Sequence, residues 1–317
     1  MQFALPPRRN LHAPYSGAPR FTFQRKRHLK AAVILGFSLL AVFFLLSQFF
    51  YSSTGTTAVP VGTPSVVIVT VLDRALWSDD YIQKIIKNRE DYAKRHGYTN
   101  FFANWSDYEP SLEGAPRSWG VVPAVRHAMA SHPYSKYFFH LDAHALIMNP
   151  NKPLESHLLD KSQLESLMLR EVSVVPPDSI IKTFSHLKPE DIDLIISTDK
   201  EDLAPGSFVL KQGEFARFLL DIWFDPLYRQ YNFAKAEIHA LDHIVQWHPT
   251  VLARLALVPQ RVINAYSKDS TGASLDGTYK EGDLLIHFFG CDKDAKRSCE
   301  KEMDPYYNLW AKKLKND

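Results

Sequence analysis

The sequence predicts an α/β body with a mostly parallel sheet flanked by helices, preceded by one N-terminal transmembrane helix. Three observations predict it. Along residues 65–317, short runs rich in β-branched and aromatic residues alternate with helical segments, and that alternation builds parallel sheets. An apolar fraction of 45% beside a charged fraction of 23% can bury a core and excludes a mainly disordered chain. The run from Ala31 to Tyr51 holds 21 residues without a charge. At the rise of an α-helix it reaches roughly 32 Å, enough for a hydrocarbon core of ~30 Å.

Each element of the body has its own signature. Ser65–Leu72 (SVVIVTVL) suits a strand buried on both faces. Asp79–Gly97 reads as a helix with acids in its first turn and a glycine stop. Thr99–Ala103 is expected as a second strand, Ser118–Ser131 as a helix, and Tyr137–Asp142 as a strand ending at an acid. Residues 152–190 carry no clear period. Beyond them, Ile192–Ser197, Ser207–Lys211 and Leu284–Phe289 read as strands, and Glu214–Trp223, Ala236–Trp247 and Glu300–Leu314 as helices. Ligands of such sheets bind beyond the carboxyl ends of the strands. That rule singles out Asp142, at the end of one strand, and His287, within another.

Charge divides the chain. Residues 1–30 form a basic tail with seven Lys/Arg and no acid. Removing those seven from 37 basic residues leaves 30 against 35 acidic ones, a body near −5. A nucleic-acid protein carries its basic residues on the folded part, so no nucleic-acid partner is expected. The cluster Arg25-Lys26-Arg27-His28-Leu29-Lys30 abuts the apolar run 31–51, and the first charge beyond it is Asp73. By the positive-inside rule, a signal anchor of this kind leaves the N-terminus in the cytosol and sends the body into the lumen. Residues 52–64, small, polar and punctuated by Pro and Gly, form a short stem before the lumenal domain, 65–317. Asn104-Trp105-Ser106 is a glycosylation sequon, in keeping with a lumenal body. The two cysteines, Cys291 and Cys299, are expected to form a disulfide there, since two thiolates alone do not make a zinc site.

Four constellations carry chemistry. Tyr137-Phe-Phe-His-Leu-Asp-Ala-His144 delivers Asp142 and His144 two residues apart, a spacing at which both can bite one divalent ion. Such an ion stabilises negative charge developing on a diphosphate. The competing reading makes Asp142 a cap and His144 a satisfied core histidine. In Glu281-Gly-Asp-Leu-Leu-Ile-His-Phe-Phe-Gly-Cys291, His287 is structural unless the fold brings it to Asp142. In Ala204-Pro-Gly-Ser-Phe-Val-Leu-Lys211, Gly206 permits close backbone approach to a ligand or marks an ordinary turn. In Glu237-Ile-His-Ala-Leu-Asp-His243, Glu237, Leu241 and Ile244 share one helix face, and a solvated face is the bland alternative for the polar members.

These segments, together with Ser118-Trp-Gly-Val-Val-Pro-Ala-Val-Arg-His127, occur in an order that resembles the fungal galactosyl/mannosyltransferase family, glycosyltransferase family 34. Within it, the nearest likeness is to α-1,6-mannosyltransferase subunits of the Golgi mannan polymerase complex. The resemblance implies a GT-A-like nucleotide-sugar-binding fold, type II topology, residence in the Golgi membrane, and retaining transfer that builds an α-linkage. It implies Mn²⁺ or another divalent cation held by Asp142, His144 and His287. It places donor binding at Gly206, Ser207 and Gly290, and leaves Glu237, Asp242 and Asp283 as candidate catalytic carboxylates. It implies GDP-mannose as donor, mannan or N-glycan outer chains as acceptor, and other mannosyltransferase subunits as partners. Two positions depart from the family pattern. His144 stands where a second Asp is usual, removing one negative charge from the expected site, and Ala204 replaces an Asn that could bond the sugar. Two rival functions stay open: α-galactosyl transfer from UDP-galactose, and a non-catalytic scaffold in a mannosyltransferase complex.

Overall fold

The computed structural model describes residues 23–51, 59–268 and 277–314. The chain divides into two units, Met1–Ala58 and Val59–Asp317. In the first, α1 (Phe23–Tyr51) is one helix of 29 residues. Val33, Ile34, Leu35, Phe37, Leu39 and Phe43 on it are all more than half exposed. Of the predicted span 31–51, the side chains at 45, 46 and 48–51 lie outside the described residues. Among the described residues no helix is long and apolar enough to cross a membrane.

The second unit runs β1 (Val66–Leu72), α2 (Asp79–His96), β2 (Thr99–Asn104), α3 (Glu109–Leu112), α4 (Val121–Ser131), β3 (Tyr137–Leu141) and β4 (Ala145–Ile147). It continues through α5 (Lys161–Leu167), β5 (Leu194–Thr198), β6 (Leu203–Lys211), α6 (Glu214–Trp223), α7 (Pro226–Gln230) and α8 (Glu237–Trp247). It closes with α9 (Pro249–Leu252), β7 (Leu255–Val258), α10 (Gln260–Ile263), β8 (Leu285–His287) and α11 (Cys299–Leu314). Six strands form one sheet in the order β2-β1-β3-β6-β5-β7, and β4 pairs with β8 in a separate ribbon. β1 is parallel to β2 and β3, and β5 to β7, while β6 runs antiparallel to both its neighbours. The sheet is therefore mixed but mostly parallel.

The strands read as unbroken apolar runs because both faces are covered. Side chains alternate along a strand. Val67, Val69 and Phe138 pack on the face covered by α4, α6 and α8, whereas Val66, Ile68 and Phe139 pack on the face shared with α2 and the β4–β8 ribbon. α11 joins a third cluster, in which Trp310 and Met303 meet Leu146, Ile286 and Phe288. The ends of α2 follow from its sequence. The Ser78 side chain accepts the Tyr81 N–H at the start, and Gly97, at φ 67°, supplies the left-handed turn that ends it.

Two differences from the sequence reading matter for the site. β6 begins at Leu203 rather than Ser207, so Pro205 and Gly206 lie in a strand, accommodated by a register shift opposite Ile196/Thr198. β3 ends at Leu141, and the chain turns at once, with the Ala145 N–H donating to the Asp142 carbonyl at 3.2 Å. The strand alternation expected to align Asp142 with His144 thus stops one residue too early.

Phe139 on β3 is fully buried. Phe139→Ala should lower the unfolding free energy by about 3–5 kcal/mol, read as a shift of the urea midpoint.

Candidate active site

The parallel strands β1, β2 and β3 end along one edge of the sheet, at Leu72, Asn104 and Leu141. Beyond that edge lies a cleft of about 270 Å³ whose lining includes Asp73, Trp77, Arg117, Asp142, His144 and Asp292. Its rim is rigid. Asp73 Oδ1 accepts the N–H groups of Ala75 and Leu76, while its other oxygen pairs with Arg117 at 2.5 Å. Arg117 in turn lies over the Trp105 ring, 4.1 Å from its centre.

At the base of the cleft, Oδ1 of Asp142 faces Nε2 of His287 at 3.8 Å. The two residues come from distant parts of the chain and meet through sheet pairing. The Asp142 N–H donates to the Gly206 carbonyl at 2.8 Å, fixing it beside β6. His287 stands opposite Ala145 in the β4–β8 ribbon, one turn beyond Asp142. Its backbone is tied on the other side as well, donating to the Ala265 carbonyl at 2.7 Å and accepting from the Ser267 N–H at 2.9 Å. Its ring sits edge-on to Tyr266 and Phe289, which stack on each other.

The electrostatics separate the pair into two electron donors. Burial pushes His287 down to about 4, so its imidazole is neutral near pH 7. Burial alone would raise the Asp142 carboxyl, but His144, His287 and the His144 N–H, bonded at 2.6 Å, more than offset it and hold it below its usual range. The Nδ1 of His287 lies 2.8 Å from the Asn264 side-chain oxygen. A carboxylate and an uncharged imidazole are suited to a divalent cation of the first transition row.

His144 has contacts of its own. Its Nδ1 is 2.7 Å from the Tyr81 hydroxyl and its ring packs edge-on to Trp77 at 4.9 Å. Among the described residues, the ligand atoms grouped with it are the sulfurs of Cys291 and Cys299, which are bonded to each other as a disulfide. The disulfide joins the turn after β8 to the first residue of α11, closing the loop that carries Asp292 to the cleft.

The donor-binding candidates each have a place in the fold. A Cβ on Gly206 would come within 2.2 Å of the His287 ring, so the missing side chain makes room for that imidazole. Ser207 is fully buried and donates to the Ile263 carbonyl. Gly290, at φ 72°, makes the turn after β8, and the adjacent Phe289 carbonyl accepts from Arg297 at 2.7 Å.

Of the candidate carboxylates, only Glu237 stands beside the cleft. Ser118, in the cleft wall, donates its hydroxyl to Glu237, and burial raises that carboxyl to about 7. Asp242 accepts the Leu203 N–H at 3.0 Å within a buried acidic group that includes Asp199 and Asp202, where burial and those neighbours push it up to about 8. Asp202, His239 and Asp242 could together hold an ion, but Lys235 already pairs with Asp202. Asp283 is held by both arms of Arg261, at 3.0 and 2.7 Å. It lies four residues before His287 in the chain, ahead of β8. It is a structural ion pair. At Asn104 the side-chain amide donates to Ser106 Oγ at 2.7 Å, at the end of β2.

Several members of the site escape the sequence reading. Asp73 obeys the strand-end rule that picked out Asp142. Tyr81, Arg117 and Asn264 carry no local pattern, because each acts on a residue far away in the chain.

A mixed sheet with its cleft beyond the parallel strand ends is a GT-A-like glycosyltransferase fold. A solved glycosyltransferase involved in the glycosylation of the major capsid of PBCV-1 shares it, at a TM-score of 0.50 and 15% identity over 77% of this chain and 98% of that one. The galactosyl transferase GMA12/MNN10 family matches residues 62–299, and the chain belongs to that family. An uncharacterized alpha-1,2-galactosyltransferase of Schizosaccharomyces pombe is 34% identical over 75% of this chain and 63% of its own length. A second protein of that yeast, named alpha-1,2-galactosyltransferase, is 32% identical over 75% and 63%. A probable alpha-1,6-mannosyltransferase, MNN11 of Saccharomyces cerevisiae, is 32% identical over 77% and 61%. The matched segment thus spans a little under two thirds of these three relatives.

Glu237 makes a sign-specific prediction. Its folded value, about 7, lies above its ordinary 4.5, so the stability it lends is complete below pH 4.5 and lost as pH rises toward and through 7. Glu237→Gln should remove about 3 kcal/mol of that decline, read by urea unfolding of both proteins at pH 4.5 and pH 8.

Proposed function

We propose that the chain is a hexosyltransferase that transfers a sugar from a nucleoside diphosphate donor, with retention, to a glycan hydroxyl. The observation that carries this reading is the opposition of Asp142 Oδ1 and His287 Nε2 at 3.8 Å beneath the cleft. On this reading those two residues hold a divalent cation, Mn²⁺ in the first instance. When bound, that ion neutralises negative charge on the diphosphate as the sugar–phosphate bond opens. Asp142 supplies the anionic ligand and His287 the neutral one. Glu237 holds a proton near neutrality against Ser118, which suits it to orient a sugar hydroxyl at the cleft wall. The ion pair of Asp73 with Arg117 keeps the rim in place without consuming Asp142.

GDP-mannose, giving an α-1,6 link on N-glycan outer chains, is the donor favoured by the motif resemblance and by the mannosyltransferase relative. The galactosyltransferase relatives favour UDP-galactose. A panel of nucleotide sugars separates them: GDP release with GDP-mannose supports the first, UDP release with UDP-galactose the second, and no release from any donor overturns both. The body is proposed to lie in the Golgi lumen, tethered by the 31–51 run, whose described large apolar side chains on α1 are more than half exposed. Association with other mannosyltransferase subunits belongs to the same proposal.

Asp142→Asn should reduce Mn²⁺-dependent donor turnover by about a hundredfold or more, measured as nucleotide release. An unchanged rate would remove Asp142 from the site. Gly206→Ala, by displacing the His287 ring, should weaken Mn²⁺ binding by at least about tenfold in a calorimetric titration, with full affinity as the contrary result.

A further inference from the structure

The histidine of the proposed cation pair has two ring nitrogens, and only an unprotonated Nε2 can face a cation. The proton must then reside on Nδ1, and a buried N–H needs an acceptor. Asn264 stands at that position, fully buried, with its side-chain oxygen 2.8 Å from Nδ1 of His287. An asparagine amide could turn either end toward the ring, so its orientation decides the tautomer. Here a third group removes the choice. The Asn264 Nδ2 donates to the Ala204 carbonyl at 3.1 Å, and a carbonyl only accepts. The amide oxygen is therefore the end presented to His287. The Asn264 main chain is held too, its N–H donating to the Gln260 carbonyl at 2.8 Å after α10.

We propose that Asn264 is a positioning residue: anchored by the Ala204 carbonyl, it fixes His287 as the Nδ1–H tautomer and aims the Nε2 lone pair at Asp142. The cation part rests on the function proposed above, but the tautomer part does not. The side chain touches neither substrate nor ion, and it acts only through the imidazole. The arrangement also gives position 204 a second meaning. Whatever its side chain, its backbone oxygen is the anchor of the relay, so that role survives the alanine found there.

The test uses the full chain with ¹⁵N-labelled histidine, and Mn²⁺ alone as the metal probe. In the parent, the His287 ring should show the nitrogen shifts of a protonated Nδ1 and a bare Nε2. Asn264→Leu removes the acceptor at similar volume. It should lose that single tautomer and weaken Mn²⁺ binding about 10- to 100-fold by calorimetry. Asn264→Asp keeps an acceptor toward Nδ1 and should retain the tautomer, with Mn²⁺ affinity within a few-fold of the parent. That rescue is what a merely space-filling role would not produce. A parent ring protonated on Nε2, or a Leu variant with unchanged tautomer and affinity, would overturn the proposal. If Leu unfolds the chain, the Asp variant still decides: loss of the Nδ1–H tautomer in a folded Asp protein refutes the relay. Absence of Mn²⁺ binding in the parent would sink the cation reading alone, and the ring tautomers would still decide the role of Asn264.

Discussion

An aspartate oxygen and an imidazole nitrogen face each other across 3.8 Å at the foot of the cleft. Burial keeps His287 neutral, so the contact is not an ion pair. The fold nevertheless holds it from several directions. β6 runs against its neighbours and brings Gly206 beside Asp142. The β4–β8 ribbon carries His287 back over the end of β3, and residues 265–267 fasten its main chain. The absent Cβ at 206 leaves the space that the ring fills.

Several other acids of the fold have cations of their own. Asp73 is occupied by Arg117, Asp283 by Arg261, and Asp202 by Lys235. The fully buried Arg89 donates to the Asp142 carbonyl at 2.9 Å, which brings a positive charge near the carboxylate without engaging its oxygens. The disulfide and the Arg297–Glu302 ion pair brace the turn after His287. Each of these contacts acts on the surroundings of the pair, leaving the Asp142 carboxylate partly exposed toward the cleft.

Much of the architecture was legible in the residues. The run Ser65–Leu72 read as a doubly buried strand because both faces are in fact covered, and α2 ends where its glycine stop lies. β4 and β7 were not assigned from sequence: each is an apolar run of three or four residues, too short for periodicity to separate strand from helix. The spacing Asp142-x-His144 was expected to align the two side chains, but period-two alternation holds only inside a strand and β3 stops at Leu141. Gly206 was expected to allow close backbone approach to a ligand, and sequence could not say that another side chain of the same protein, the His287 ring, packs against it. Asn264 was invisible for a deeper reason. Its meaning comes from two partners, 23 and 60 positions away, that only the folded chain brings together.

The central claim is that Asp142 and His287 bind one divalent ion, and anomalous X-ray scattering locates such an ion directly. Crystals of the protein grown with Mn²⁺ and a nucleoside diphosphate should give a single strong manganese peak between the Asp142 carboxylate and His287 Nε2, with phosphate oxygens completing its coordination. A manganese peak instead among Asp202, His239 and Asp242, or none at the pair with nucleotide bound in the cleft, would contradict the account.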